Sequence, residues 1–345
     1  MNLDLACKWL YGEPSSHAVL RTTADDFQVF ERLPFEPDGE GEHLFLYIRK
    51  TGENTDWVAR QLARFCQVSP RDVGYAGKKD RHAVTEQWFS VRLPIGRTLN
   101  WQQFGGDTIE VLKTARHSRK LRLGALSGNR FVIRLRDVTD PAAFAARVEL
   151  ARAGVPNYFG EQRFGREGGN LVKGQALLAG TLKERQRHKK GLYISALRSW
   201  LFNQVISARI GQGLWHSILP GDVLMLNGSQ SCFLAGDEAD LEQRLEQGDL
   251  HLTGPMWGRG ELMTQSEARA FESAALAPWQ ELCTGLEGLG LNQERRSLRL
   301  VPLGLKAEAE AEGMWRLEFE LPAGAFATSV LRELCQWHNA ATEQT

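Results

Sequence analysis

The stretch GYAGKKDRHAVTEQW, residues 74–88, sets one carboxylate, Asp80, among Lys78, Lys79, Arg81 and His82, in a loop punctuated by Gly74 and Gly77. Positive neighbours favour the ionised form, so Asp80 is expected to stay charged with a lowered pKa. Such a carboxylate suits a nucleophile or an electrostatic anchor better than a general acid. The same pattern also describes a plain turn in which Asp80 pairs with Lys79 or Arg81. Other chemistries lack their residues: there is no P-loop, no GxGxxG opening a helix, no HExxH and no GxSxG elbow. His82 and His117 lie in basic, polar segments without an obvious triad partner.

The elements around Asp80 follow from periodicity. DFQVFE (26–31) alternates and HLFLYIRK (43–50) is apolar and aromatic, so both read as strands, joined by the turn-rich EPDGEGE. ENTDWVARQLARFCQV reads as a helix with Asn54 or Thr55 as cap and Val58, Leu62, Phe65 and Cys66 on one face. EQWFSVRL alternates, with Phe89, Val91 and Leu93 on one side, and reads as a strand. Asp80 is therefore expected in a helix-to-strand connection, where a rigid scaffold displays chemistry.

Residues 113–136 carry eight Lys/Arg and no acid, which points to a phosphate-facing surface. Within them Asn129, between Gly128 and Arg130, reads as a left-handed turn residue whose amide could also pair with the edge of a base. RFVIRLR is a strand with Phe131, Ile133 and Leu135 on one face. Phe27, Phe131 and Phe326 read as core from periodicity alone, and Arg21, just before DFQVFE, as a surface charge.

At 345 residues the chain is expected to form two domains. Its 42 basic and 42 acidic residues cancel, so only local patches speak to a nucleic-acid partner. The texture changes at PNYFGEQRFGREGGN (156–170), and a second basic cluster, KERQRHKK, lies at 183–190. SALRSWLFNQVISARIG reads as a helix capped by Ser195 and ended by Gly211, and GPMWGRGE as a loop. A separate domain is placed between about residue 155 and about residue 303. Beyond it come a strand, MWRLEFEL, the turn LPAGAF and a helix, ATSVLRELCQW, with Phe326, Val330 and Leu334 on its buried face. The ten Trp are expected mostly in the core. Five scattered cysteines (Cys7, Cys66, Cys232, Cys283, Cys335) show no metal-ligand spacing and read as free thiols of a reducing cytoplasm. No signal peptide and no membrane span are expected.

Together these residues resemble one family, the TruD-type tRNA pseudouridine synthases. The likeness is carried in order by DFQVFE (26–31), EPDGEGEH (36–43), GYAGKKDRHAVTEQW (74–88), ARHSRKLRLGALSGNRF (115–131), VPNYFGEQRFG (155–165), LFNQ (201–204) and LPAGAFATSVLREL (321–334). The resemblance implies an α+β fold: a pseudouridine-synthase catalytic domain, an antiparallel sheet with flanking helices, from residues 1–154 and 304–345. Into it an α/β TRUD domain, 155–303, is inserted, with an RNA cleft between the two. It implies isomerisation of a uridine in tRNA, at position thirteen of the D arm, to pseudouridine. No cofactor and no metal are implied; tRNA is the partner and monomer the default state. Asp80 matches the essential aspartate of the GxAGxKD motif. Phe27, Asn129 and Phe326 match positions that contact the target uridine. Phe131 stands where other pseudouridine synthases have Tyr. Arg21 stands where the family often has Lys, as the cation beside the aspartate, and Lys79 is a second candidate for that charge. Arg for Lys keeps the charge but presents a wider planar group.

Two rival classes remain at this stage. A catalytically silent RNA-binding or RNA-folding protein would not need Asp80. A carboxylate-based hydrolase of small substrates would not need two basic clusters.

Overall fold

Every strand must find partners for its backbone N–H and C=O groups, and here ten strands do so in one sheet. In the computed structural model, which describes residues 3–342, they are β1 (His17–Leu20), β2 (Phe27–Arg32), β3 (His43–Thr51), β4 (Val73–Tyr75), β5 (Val84–Arg92), β6 (Ile109–His117), β7 (Gly128–Arg136), β8 (Leu303–Ala311), β9 (Met314–Pro322) and β10 (Gln336–Asn339). Their order is β8-β9-β7-β2-β5-β3-β6; β4 adds to β5, and β1 pairs with both β7 and β10. All of these pairings are antiparallel except β2 with β5 and β1 with β10. The sheet belongs to a compact unit made of Pro14–Ala153, Val301–Ala327 and the described residues from Leu334 onward.

The core of this unit forms on both sides of β5. Helix α1 (Thr55–Phe65) buries Val58, Leu62 and Ala63, followed by Cys66, against Leu46, Ile48, Phe89 and Val91. On the opposite face Trp88 packs with Phe45, Ala76 and Leu121. The sequence reading gave β5 one buried side; the structure buries both, because the strand is central and covered twice. Asn54 occupies the N-cap of α1 without a side-chain bond, and the Thr55 hydroxyl serves elsewhere. Asn129 is a strand residue, not a left-handed turn: β7 already begins at Gly128, where a Cβ would meet Leu321 O at 2.3 Å.

The second unit collects the described residues up to Glu13, Gly154–Leu300 and Thr328–Glu333. It holds a four-stranded sheet in the order Cys232–Leu234, Val223–Leu226, Leu250–Met256, Glu294–Ser297, so Gly254–Met256 are strand rather than loop. The 25-residue helix Arg187–Gly211 starts eight residues before Ser195, whose hydroxyl accepts from Arg163 instead of capping. Its first turn carries Arg187, Lys189 and Lys190, cations at the end where the helix dipole disfavours them. The helix Ala327–Leu334 is shorter than its sequence pattern: Gln336 and Trp337 pair with β1 as part of β10. Of the ten Trp, Trp88, Trp200 and Trp215 are buried and the rest half-buried. Among the described residues no helix is long and apolar enough to cross a membrane.

Candidate active site

Adjacent parallel strands start at the same end of a sheet, so the segments leading into them are neighbours. Gln28 of β2 lies opposite Val84 of β5. The segments carrying Arg21 and Asp80, which lead into these strands, therefore meet.

The approach to β2 is unusual. β1 and β2 run along the same side of β7, with Leu20 opposite Leu135 and Phe27 opposite Ile133. Residues 21–26 are looped out where β7 advances by two positions. Arg21 turns the chain with φ 59°, a left-handed conformation uncommon for a residue with a Cβ. Asp26 closes the excursion by accepting from Thr23 N–H at 2.9 Å and from Arg136 Nε and Nη2 at 3.0 and 2.8 Å.

From this turn the Arg21 guanidinium reaches Asp80, Nη2 to Oδ2 at 2.7 Å, and lies 3.9 Å above the Phe27 ring. The pair is asymmetric: Arg21 is 5% exposed and Asp80 36%. Burial pulls the guanidinium pKa below its ordinary value, and the Asp80 charge works against that shift. Asp80 is thus a carboxylate held by one buried cation and open to solvent.

The loop before Asp80 is fixed by bonds from three strands and a helix. Gln87 donates to Gly77 O at 3.0 Å, Lys79 N–H to Thr55 Oγ1 at 3.0 Å, and the Thr55 hydroxyl to Gln87 Oε1 at 2.9 Å. Lys50 Nζ donates to the Asp80 carbonyl at 3.0 Å and to Glu53 O at 2.7 Å. Desolvation brings the Lys50 pKa down to about 8. The cations adjacent to Asp80 in sequence are engaged elsewhere. Lys78 pairs with Asp56, Lys79 with the buried Glu31, and Arg81 donates to Gly52 O. The expectation that Lys79 or Arg81 pairs with Asp80 is corrected: that partner is Arg21, contributed from 59 residues away.

The other candidates fall into two groups. Asn129 stands opposite Glu31 and Leu321, and its Oδ1 is buried with no hydrogen-bond partner. Phe326 is half-buried and follows β9, whose last pairs are Leu321 with Asn129 and Pro322 with Gly128. Phe27 and Phe131 are 2% and 6% exposed. The Phe131 ring meets Phe27 edge-on at 6.2 Å and stacks on Phe319 at 5.5 Å. With Arg21 over one face, the Phe27 ring supports the cation in this state.

The basic run 113–136 is less free than its sequence suggests. Arg130, Arg134 and Arg136 pair with Glu318, Glu310 and Asp26 across strands. Arg116 binds the carbonyls of Leu93, Pro94 and Ile95, and Lys120 that of Arg71. Acids distant in sequence neutralise Arg130, Arg134 and Arg136 of a run that has none of its own.

Sequence reasoning missed Lys50 and Glu31 as parts of the site. The signal was phase: Lys50 alternates with Leu46 and Ile48, and Glu31 with Phe27 and Val29, all buried positions. A charge at an inward position of a strand marks a buried polar contact. Among the described residues no group of His, Cys, Asp or Glu is placed to hold a metal ion.

The chain matches the family profile described as tRNA pseudouridine synthase D (TruD) over residues 6–187 and 170–334. It is 49% identical over 348 aligned positions to the tRNA pseudouridine synthase D of Shewanella oneidensis, covering 98% of this chain and 93% of that one. It is 48% identical to that of Aeromonas hydrophila, covering 96% and 94%. The crystal structure of a Methanosarcina mazei protein assigned as tRNA pseudouridine synthase D superposes with a TM-score of 0.72 at 22% identity, covering 94% of each chain. The fold is that of the pseudouridine synthases. Within that class the chain belongs to the tRNA pseudouridine synthase D (TruD) family.

Proposed function

We propose that this protein isomerises a uridine of tRNA to pseudouridine, the uridine at position thirteen of the D arm, with Asp80 as the catalytic carboxylate. In this reading the N1–C1′ bond breaks, the base turns, and a C5–C1′ bond forms; C5 loses a proton and N1 gains one. The reaction is an isomerisation with no net oxidation or reduction and no water consumed, so it calls for neither a redox cofactor nor a metal. The protein acts as a monomer in the cytoplasm, through a catalytic domain of residues 1–154 and 304–345 into which a domain of residues 155–303 is inserted.

The observation that carries this reading is the pairing of Arg21 with a solvent-open Asp80 at the head of β2 and β5. When RNA covers the site and excludes water, the buried guanidinium offsets the desolvation of the carboxylate charge. An ionised carboxylate serves attack on ribose C1′, attack on uracil C6, or departure of the base. Taking a base out of its stack costs on the order of a few kcal/mol. The orphan Asn129 Oδ1 can accept from the uracil N3–H, and Phe326 can stack on the ring. The exposed cations of 183–190 supply salt-dependent contact with phosphates.

The test is pseudouridine mapping on unmodified tRNA incubated with wild type or Asp80→Asn, with a chelator and no cofactor. The expected result is a new D-arm pseudouridine with wild type only. Equal binding of tRNA by both proteins with no uridine changed in either would sink the isomerase and favour an RNA-binding protein.

A further inference from the structure

Not all of the basic run is neutralised. The side chains of Arg119 and Arg122 are in no ion pair and no hydrogen bond found among the described residues, and both residues are exposed. They border a cavity of about 830 Å³ whose other walls include Phe35, His43, His117 and Lys120. The cavity has a polar and an apolar side. His43 and His117 stand directly opposite each other on β3 and β6. His117 stacks on Phe35 at 5.1 Å and meets Phe45 edge-on at 4.9 Å. His43 Nδ1 is buried without a partner. Burial, then Arg92 and Lys120, lower the His43 pKa.

Asp38, which bonds the wall residues His117 and Ser118, is already satisfied. It accepts from the Ser118 hydroxyl at 2.6 Å, from the Ser118 and Glu40 N–H groups, and meets His117 Nδ1 at 3.0 Å. The segment forming the wall is tied to the loop that leads to Asp80. Gly124 N–H donates to Ala76 O at 2.7 Å, and Leu121 N–H to Ser90 Oγ at 3.0 Å.

We infer that this cavity is a second nucleotide site, which takes a nucleotide of the bound RNA strand other than the one to be modified. Its phosphate lies on Arg119 and Arg122, and its base lies beside Phe35 with a polar edge on His43. The volume exceeds what a side chain would fill, the rim is cationic, and the lining includes the aromatic ring of Phe35 and the imidazole of His43. That combination fits a base joined to a phosphate. The inference rests on the proposal that the substrate is RNA.

The test compares Arg119→Ala/Arg122→Ala with wild type in tRNA binding over a range of KCl concentrations and in steady-state pseudouridine formation. Arg60→Ala/Arg64→Ala, on the exposed side of α1, matches the charge change elsewhere. The expected result is a KM and Kd raised about tenfold or more, kcat unchanged, and a log Kd against log salt slope smaller by about two contacts, relative to both controls. His43→Phe should raise KM and leave the slope alone. A slope and KM equal to those of the α1 variant would overturn the site. So would uridine 5′-monophosphate binding that depends on Arg119 and Arg122 while tRNA binding does not, since the occupant would then be a free nucleotide. The two readings fail separately. If wild type forms pseudouridine and the Arg119/Arg122 variant matches it throughout, only the second site fails. If wild type forms none but the slope still differs, the second site stands as an RNA site and the isomerase fails.

Discussion

Arg21 and Asp80, 59 residues apart, form an ion pair of 2.7 Å because the strands they precede run parallel. The cation is buried and the carboxylate is open, an arrangement that leaves the acid reachable. If the pair serves catalysis, Arg21→Met should cut pseudouridine formation by about a hundredfold or more, and Arg21→Lys by less than about tenfold, since Lys keeps the charge. Single-turnover rates on unmodified tRNA check this. Because Asp80 is partly solvated, the loss of stability in Arg21→Met should be only about 1–2 kcal/mol. An equal loss of rate in both variants would show that geometry, not charge, is what Arg21 supplies.

Lys79 and Glu31 make the buried pair of the site, at 5% and 0% side-chain exposure, and Glu31 also takes the Trp88 N–H at 3.0 Å. Removing one member of a buried pair strands the other, at about 3–5 kcal/mol. Glu31→Ala should therefore lower the urea midpoint strongly. Glu31→Ala with Lys79→Met should recover much of the loss. Urea melts of the two variants decide it; no recovery in the double variant would mean that the Trp88 bond matters more than the charge.

Lys50 gives a pH signature. Its folded pKa, about 8, is below the ordinary lysine value of 10.5, so between these limits the unfolded chain binds the extra proton. Below pH 8 the cost of burying the ammonium is fully present; as pH rises towards 10.5 it is relieved. The stability of wild type relative to Lys50→Met should therefore rise with pH across that window, by up to about 3 kcal/mol. The neutral amine keeps donors for the Glu53 and Asp80 carbonyls. Denaturant titrations of both proteins from pH 7 to pH 11 measure the difference, and a flat difference would contradict a depressed Lys50 pKa.

The two glycines of the loop should separate cleanly. At Gly74 a Cβ would lie 2.3 Å from Leu121 O and 2.8 Å from Ser90 Oγ; at Gly77 the nearest atom is the Lys79 Nζ at 3.5 Å. Gly74→Ala must shift backbone and should cost about 1–3 kcal/mol. Gly77→Ala should stay within about 0.5 kcal/mol. Thermal melts of the two variants test the contrast.

Much of the molecule was legible in the chain because the signals are local. Apolar alternation marked β2, β5 and β7, an apolar and aromatic run marked β3, and the amphipathic face of α1 followed from Val58 and Leu62. Asp80 stood out by residue type and by the charge beside it. What periodicity could not show is which charge meets which. Three cations, Lys78, Lys79 and Arg81, lie beside Asp80 in sequence, yet its partner comes from a left-handed turn before another strand, because strand pairing outranks chain proximity. The run 113–136 reads as uniformly basic, but Glu318, Glu310 and Asp26 reach Arg130, Arg134 and Arg136 only once the sheet forms. Asn129 reads as a turn beside Gly128, and the pairing of β7 with β2 and β9 makes it a strand residue. Local composition determines which segments become strands and helices. Long-range register decides which side chains become a site, because each hydrogen-bonded pairing carries its flanking residues to a fixed place.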